Sequence, residues 1–198
     1  MKVLKIIVFL FFCLFLIFQS YMIMATNRTE QQKYNVIQKN KDFEIRFYPA
    51  STFATIESNA KTYKELSYPG FRKLAGYIFG GNEANAQISM TSPVHMDVND
   101  SVSTMSFVMP SIYNKTNLPK PIDSHVRIVM SQDEYVAAIR FGGYVNDKEL
   151  KFYKEKLKDL LSKKGIKTLG HYRYLGYNPP YQIFGRRNEI IVSVEWKE

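Results

Sequence analysis

One pattern of strands, a helix and further strands occurs twice along this chain, and this repeat constrains the fold more than any other feature. The matched segments, at offsets of 83 to 85 residues, are Thr52–Glu57 with Tyr135–Arg140, Gly80-Gly81 with Gly165, and Met105–Met109 with Ile190–Val194. Two copies are too few for a solenoid, which needs at least three repeats. The repeat therefore predicts two pseudo-symmetric halves that close around one core.

Each half combines alternating strands with one amphipathic helix. Phe43, Ile45 and Phe47 alternate with more polar neighbours, which predicts a half-buried strand. In the second half, Asn146 with Glu149 three residues later is typical of a helix N-terminus. These patterns predict an α+β fold, but they do not separate an antiparallel barrel from other α+β layers.

The first 25 residues differ from the rest of the chain. Lys2 and Lys5 precede an apolar run over 6–18, and a small residue follows at Ala25, as in a secretory signal peptide. The cleavage site is poor because Ile23 occupies position −3, and the 20 residues over 6–25 are enough to span a bilayer. Residues 1–25 are therefore a signal peptide or a membrane anchor, 26–33 a linker and 34–198 the folded domain. Either interpretation predicts a domain exported across the membrane, whether periplasmic, secreted or anchored.

Charge and cysteine usage narrow the possible partners and the source of stability. The net charge is +9, but the basic residues are spread along the chain, and the densest run, 148–167, alternates with acidic residues. This pattern is typical of a solvated helix and predicts no nucleic-acid partner. Cys13 is the only cysteine and lies inside the apolar run, so the exported domain has no disulfide and must be stabilised by its core.

The segment over 71–97 reads as a helix, a double-glycine stop, a polar loop and an extended stretch. The helix places Phe71, Leu74, Ala75 and Ile78 on one stripe, which we call the predicted stripe. Gly80-Gly81 supplies the residue in a left-handed conformation that commonly ends a helix.

Several motifs in this part of the chain and beyond resemble the SOUL haem-binding family. They are LAGYIFGGN over 74–82, MTSPV over 90–94, NLPKPID over 117–123 and the stretch over 177–189. The resemblance covers the chain from Tyr34 onward. It implies a distorted antiparallel β-barrel of two pseudo-symmetric halves with two outer helices, a fold similar to the GyrI-like effector-binding proteins.

The resemblance implies a haem or tetrapyrrole site on the apolar surface of this helix. A haem binder needs an apolar surface for the ring and cations for the propionates. The candidate binding residues are Phe71, Arg72, Lys73, Leu74, Ala75 and Ile78. The alternative is that the predicted stripe is buried against the sheet and serves only the core.

His95 and His171 are candidate axial ligands for a haem iron, with a solvated surface position as the alternative. His95 lies between two apolar neighbours in an extended segment, so it is expected to point outward if they point inward. Arg186 and Arg187 could pair with carboxylates, either propionates or Glu189, but the favoured interpretation is a structural turn whose arginine and glutamate side chains tie a loop to the barrel.

No catalytic motif is present, which favours an exported, non-enzymatic carrier of haem or a related tetrapyrrole. The alternatives from other classes are a small-molecule effector-binding or protein-interaction module and a tetrapyrrole-modifying enzyme. The sequence leaves the oligomeric state open, and it allows membrane contact only through an uncleaved N-terminal segment.

Overall fold

The computed structural model of the protein describes residues 1–114 and 116–197, so Lys115, inside the loop between the two halves, and Glu198 lie outside the description. In chain order the elements are α1 (Lys2–Arg28), β1 (Asn35–Lys39), β2 (Glu44–Tyr48), β3 (Thr52–Ser58), α2 (Tyr63–Ile78), β4 (Val94–Asp97), β5 (Ser103–Val108), β6 (Arg127–Met130), β7 (Glu134–Phe141), α3 (Asp147–Lys163), β8 (Thr168–Gly176) and β9 (Asn188–Val194).

The nine strands form one curled, antiparallel sheet in the order β1-β2-β7-β9-β8-β4-β5-β3-β6. Helix α2 packs on β3 and β5, and α3 packs on β7, β8 and β9. Both helices share one large core with the sheet, so they lie on the same face. The predicted α+β class and the two outer helices are confirmed, and the leader adds a third helix, α1.

The predicted two-fold repeat is also confirmed. Counterparts in the two halves are β2 with β6, β3 with β7, α2 with α3, β4 with β8, and β5 with β9. The sheet order reads as a palindrome of these counterparts, with β4 and β8 paired at its centre through Met96 and Tyr174. A pseudo-two-fold axis therefore passes between β4 and β8.

The two halves exchange the counterpart strands β2 and β6. Strand β2 pairs with β7 of the second half, with Glu44 opposite Ala138, instead of with β3. Strand β6 pairs in turn with β3 of the first half, with Thr55 opposite Arg127. Neither half of the sheet is therefore built from one continuous stretch of chain.

Both faces of the sheet are covered near β2, so the expectation that this strand is half-buried is wrong. Ile45 faces the large core, but Arg46 on the opposite face is only 3% exposed. The Arg46 Cζ atom lies 4.3 Å from the centroid of the Tyr34 ring. Tyr34 packs against a second, smaller core that includes Val136 and Ile191. The segment leading into β1 therefore covers a face that the alternation pattern assigned to solvent.

The N-terminal segment is also ordered where a linker was expected. Helix α1 continues to Arg28, and the backbone that follows pairs with Ser92. The Gln32 N–H donates to the Ser92 carbonyl at 2.8 Å, and the Ser92 N–H donates to the Glu30 carbonyl at 2.9 Å. These bonds hold residues 30–32 against the segment that leads into β4.

Candidate functional site

Helix α2 begins eight residues before Phe71, because Thr62 caps it. The Thr62 hydroxyl accepts a hydrogen bond from the Glu65 N–H at 3.2 Å, which satisfies one of the free donors at the helix start. Pro69 lies inside the helix, at its seventh residue, although proline lacks a backbone donor and is costly in a helix interior. The longer helix presents more surface than the sequence predicted.

The inner face of α2 is a buried stripe that packs on β3 and β5. Its members are Leu66, Gly70, Leu74, Tyr77 and Ile78. Leu74 and Ile78 are at most 1% exposed, so these two candidate binding residues belong to the core. A methyl group on Gly70 would lie 3.1 Å from Met105 Cε, which shows how closely the helix approaches the sheet.

A second apolar stripe runs along the opposite side of α2, and we call it the outer stripe. Its members, spaced three, four and four residues apart, are Tyr68, Phe71, Ala75 and Phe79. This spacing keeps the first three on one helix face. Phe79 is the residue that caps the C-terminal end of α2, and its N–H donates to the Ala75 carbonyl at 2.9 Å. Tyr68, Phe71 and Phe79 are 72%, 42% and 64% exposed, and Phe71 is supported by Phe107, with ring centroids 5.2 Å apart. At 1.5 Å per residue the outer stripe is about 16 Å long.

The two candidate cations lie on different sides of α2. The Arg72 side chain is exposed beside the outer stripe, with Cζ 6.0 Å from the Tyr68 ring centroid. Lys73 lies near Asp123, a carboxyl whose pKa is held below its ordinary value. The main cause is hydrogen bonding from the His125 backbone and imidazole, and the Lys73 charge adds to it. Arg72 is therefore the cation next to the exposed aromatic surface.

The residues that follow α2 close the helix and fix its loop. Gly80 has φ = +109°, and the Gly81 N–H donates to the Gly76 carbonyl at 2.8 Å. The fully buried Asn82 amide donates to the carbonyls of Tyr77 at 3.0 Å and Ala86 at 2.8 Å. The GGN part of the motif thus holds the C-terminal end of α2 in place.

Alanine substitutions at Gly76 and Gly81, near the end of α2, should change the stability of the fold in opposite directions. A methyl group on Gly81 would lie 2.6 Å from the Gly76 carbonyl oxygen, so Gly81→Ala should destabilise the fold by about 1–3 kcal/mol. Gly76 is a helical residue on the exposed face, with open space where a methyl group would lie. Gly76→Ala should therefore raise the free energy of unfolding by about 0.5–1 kcal/mol. Urea denaturation of both variants measures the difference, and equal effects would contradict this account.

The two candidate axial histidines do not lie on the outer stripe. His95 alternates with the core residue Met96, as expected, but it is 8% exposed, so the expected outward position in solvent is wrong. Gln32 of the N-terminal segment covers it, with the two side chains hydrogen-bonded at 2.7 Å. Burial, with a smaller effect from the charge of Arg173, lowers the pKa of His95 to about 3 and keeps it neutral. His171 is exposed and lies 3.3 Å from Asp97, two residues beyond His95 on β4.

A buried ionic network occupies the face of the sheet opposite the helices. Glu189 is fully buried and accepts from Arg46 at 2.7 and 3.1 Å, from Arg187 at 2.9 and 3.0 Å, and from the Tyr177 hydroxyl at 2.9 Å. Burial acts to raise the pKa of Glu189, but the hydrogen bonds and charges of the two arginines outweigh it and hold the pKa below its ordinary value. The favoured prediction, that the arginine pair ties a turn to the sheet through Glu189, is confirmed for Arg187. Arg186 instead donates to the carbonyls of Pro179 and Gln182.

Two cavities in the described part of the chain lie away from α2. One of about 310 Å³ lies between the N-terminal segment and the start of β3, and includes Gln32, Thr52 and Tyr113 in its lining. The other, of about 240 Å³, adjoins the ionic network and is lined in part by Tyr34 and Arg140. Any ligand at the outer stripe would thus rest on an open surface and not in either cavity.

Sequence reasoning missed Tyr68 and Phe79 as site candidates. Their spacing from Phe71 and Ala75 is visible in the sequence, but the predicted helix begins at Phe71 and so does not include Tyr68. The predicted stripe ends at Ile78, so Phe79, the residue before Gly80-Gly81, is not among its members. Within the described residues, no group of three or more His, Cys, Asp or Glu side chains is arranged to hold a metal ion.

The structure is a small α+β domain of two pseudo-symmetric halves, with a row of exposed aromatic side chains on α2. The family model for the SOUL heme-binding protein matches residues 29–193, and the chain belongs to that family. It is similar to Heme-binding protein 1 of Xenopus laevis, with 30% identity over 155 residues, 75% of this chain and 81% of that protein. Heme-binding protein 2 of Homo sapiens is 28% identical over 156 residues, 75% of this chain and 76% of that protein.

Solved structures of low sequence identity share the fold. The C-terminal domain of EcmrR superposes with a TM-score of 0.57 at 11% identity, over 83% of this chain and 99% of that domain. At this identity the likeness extends to the fold alone.

Proposed function

We propose that this protein binds haem or a related tetrapyrrole on the outer stripe of α2 and does not act as an enzyme. The observation that carries the proposal is the row of exposed aromatic side chains Tyr68, Phe71 and Phe79. The other face of the same helix is already buried in the core. Large exposed apolar surfaces on soluble domains commonly mark binding sites. The family and the names of its relatives point to the ligand.

The outer stripe fits a flat apolar ring. Tyr68, Phe71 and Phe79 offer faces or edges for stacking, and the small Ala75 between them leaves room for close approach. A bound haem would supply a redox-active iron, and the protein side would supply ring contacts and charge. His95 is buried on the opposite face of the sheet, so ring contact and not coordination by His95 accounts for binding.

Arg72 is the residue that we assign to a propionate. It is exposed beside the outer stripe, and the described residues around it include no carboxylate bonded to it, so its guanidinium is available for a carboxylate. Lys73 lies on the other side of the helix near Asp123, so we assign it a secondary role. Phe71 and Ala75 remain site residues in this proposal, and Leu74 and Ile78 support them from the core.

The proposed role is that of an exported carrier or buffer. The N-terminal helix α1 is 27 residues long, with a mean hydropathy of 2.6 over its most apolar 18-residue window. Such a helix fits either a signal sequence or an anchor, and both would place the domain on the far side of the membrane.

Hemin titration tests the site. We expect a saturating shift of the Soret band with the wild-type protein, and at least about tenfold weaker binding when Phe71 and Phe79 are both replaced by Ser. Each aromatic that a ligand covers is worth about 1.5–3 kcal/mol, and about 1.4 kcal/mol corresponds to tenfold in affinity.

The matched control is Phe152→Ser on α3, the counterpart helix in the other half, where Phe152 is 61% exposed. Hemin affinity should be unchanged in this variant. An equal loss in both proteins would show that hemin binds apolar surface without selecting α2. The absence of saturable binding by the wild-type protein would contradict the proposal and favour an effector-binding or protein-interaction module.

A further inference from the structure

The C-terminal half of α1 is joined to the domain by a polar contact. Gln19 is 3% exposed, although it lies in an otherwise apolar and exposed helix. Its Nε2 donates to the Tyr181 carbonyl at 3.1 Å, and its Oε1 accepts from the Ile183 N–H at 2.9 Å. One side chain thus satisfies two main-chain groups of the loop between β8 and β9, which we call the β8–β9 loop.

Further contacts extend this attachment along one side of α1. The Thr26 hydroxyl donates to the side-chain carbonyl of Gln182 at 2.7 Å, and Gln182 is 1% exposed. The ring of Phe15 lies 6.5 Å from that of Phe184, and the ring of Phe18 lies 6.4 Å from that of Tyr181. The contact therefore covers three turns of the helix.

The same loop presents an apolar surface next to the helix. Tyr181, Ile183 and Phe184 are 54%, 44% and 51% exposed, and they continue the exposed apolar surface of α1. The base of the loop is held by Arg186, which stacks on the Tyr144 ring at 4.4 Å and donates to two loop carbonyls. A rigid loop with exposed apolar and tyrosine side chains beside a hydrophobic helix is suited to a lipid surface.

The depth of the loop follows from the length of α1. A hydrocarbon core of about 30 Å takes about 20 helical residues, which the stretch 6–25 supplies. Gln19 is six residues before the end of that stretch, or about 9 Å below it at 1.5 Å per residue. At that depth the Gln19 amide, the Tyr181 carbonyl and the Ile183 N–H all need hydrogen-bond partners, because no water is present. Here the Gln19 amide bonds to both main-chain groups.

We propose that α1 is retained as a membrane anchor and that the β8–β9 loop is inserted beside it, with Ile183 and Phe184 in contact with lipid. Cleavage after Ala25 would remove every contact of Gln19 with the domain, and those contacts have no use in a leader that is discarded. The domain therefore lies against the bilayer on the far side of the membrane, held by α1 and by this loop.

Tryptophan fluorescence of the full-length protein in phosphatidylcholine vesicles, isolated by flotation, tests the proposal. In a Trp196→Phe background, Phe184→Trp should show a blue-shifted emission that lipids brominated on the acyl chain quench. Tyr68→Trp, 72% exposed on α2, should show neither effect. Phe184→Trp emission that brominated lipids leave unchanged would overturn the proposal, and so would failure of the full-length chain to float with the vesicles.

A second pair of variants tests the role of Gln19. Gln19→Leu leaves two loop main-chain groups without partners, so the Phe184→Trp reporter should lose part of its blue shift and quenching. Ser20→Ala is the matched control, because Ser20 donates only to Leu16 of its own helix. Equal quenching in the Gln19→Leu and Ser20→Ala proteins would show that Gln19 does not position the loop.

Discussion

Glu189→Gln should lower the free energy of unfolding by about 3–5 kcal/mol, the usual cost of removing one partner from a buried ion pair. The substitution changes almost nothing in shape, but it leaves the guanidiniums of Arg46 and Arg187 without their shared carboxylate in a buried position. Denaturant unfolding at neutral pH measures the effect.

The pH dependence of the stability of the same variant tests whether the charge of Glu189 is the cause. The folded-state pKa of Glu189 lies below its unfolded value, so its contribution to stability is present above the unfolded pKa and is lost as the pH falls through the folded pKa. The difference between wild type and Glu189→Gln should therefore shrink in acid. A difference that stays constant with pH would show that the charge of Glu189 is not responsible for the lost stability.

An exposed ion pair serves as the control. Glu57 pairs with Arg127, and both side chains are more than half exposed. Glu57→Gln should cost no more than about 1 kcal/mol, because solvent screens exposed pairs.

Leu74→Ala and Phe71→Ala should separate the two stripes of α2. Leu74 is fully buried, so its truncation should cost about 2–5 kcal/mol of stability. Phe71 is 42% exposed, so Phe71→Ala should lower the stability less than Leu74→Ala does and should weaken hemin binding more. Denaturation and hemin titration of both proteins, with affinity referred to the folded fraction, measure the two effects.

The reverse order would count against the proposed site. If Leu74→Ala weakened hemin binding more than Phe71→Ala in the folded protein, the ligand would have to reach the inner face of α2. That result would require the helix to move away from the sheet, and the outer stripe would lose its proposed role.

The sequence predicted the architecture well because the repeat and the strand alternation are properties of local spacing. The repeat located α2 and α3 as counterparts, and the Asn146 cap located the start of α3, where the Asn146 side chain accepts from the N–H groups of Lys148 and Glu149. Strand exchange could not be predicted, because alternation shows which residues face inward but not which strand lies alongside.

Which face of α2 is exposed was predicted less well, for a physical reason. The motif that identifies the family includes residues whose observed contacts are structural: Gly81 and Asn82 close the helix, and the Thr91 hydroxyl donates to the Val108 carbonyl. Motif recognition therefore locates α2 but does not show which of its faces is open. That depends on burial, which places Leu74 inside and Tyr68 and Phe79 outside.

The exchange of β2 and β6 also affects how the chain can be assembled during synthesis. Strand β2 has no neighbour on its β7 side until Glu134–Phe141 has left the ribosome, although all of β3, α2, β4 and β5 is already made. Contacts between residues so far apart in sequence slow the search for the native state. Despite its duplicated pattern, this protein must therefore complete both halves together, because a chain ended between them would leave β2 without β7 on one side and β3 without β6.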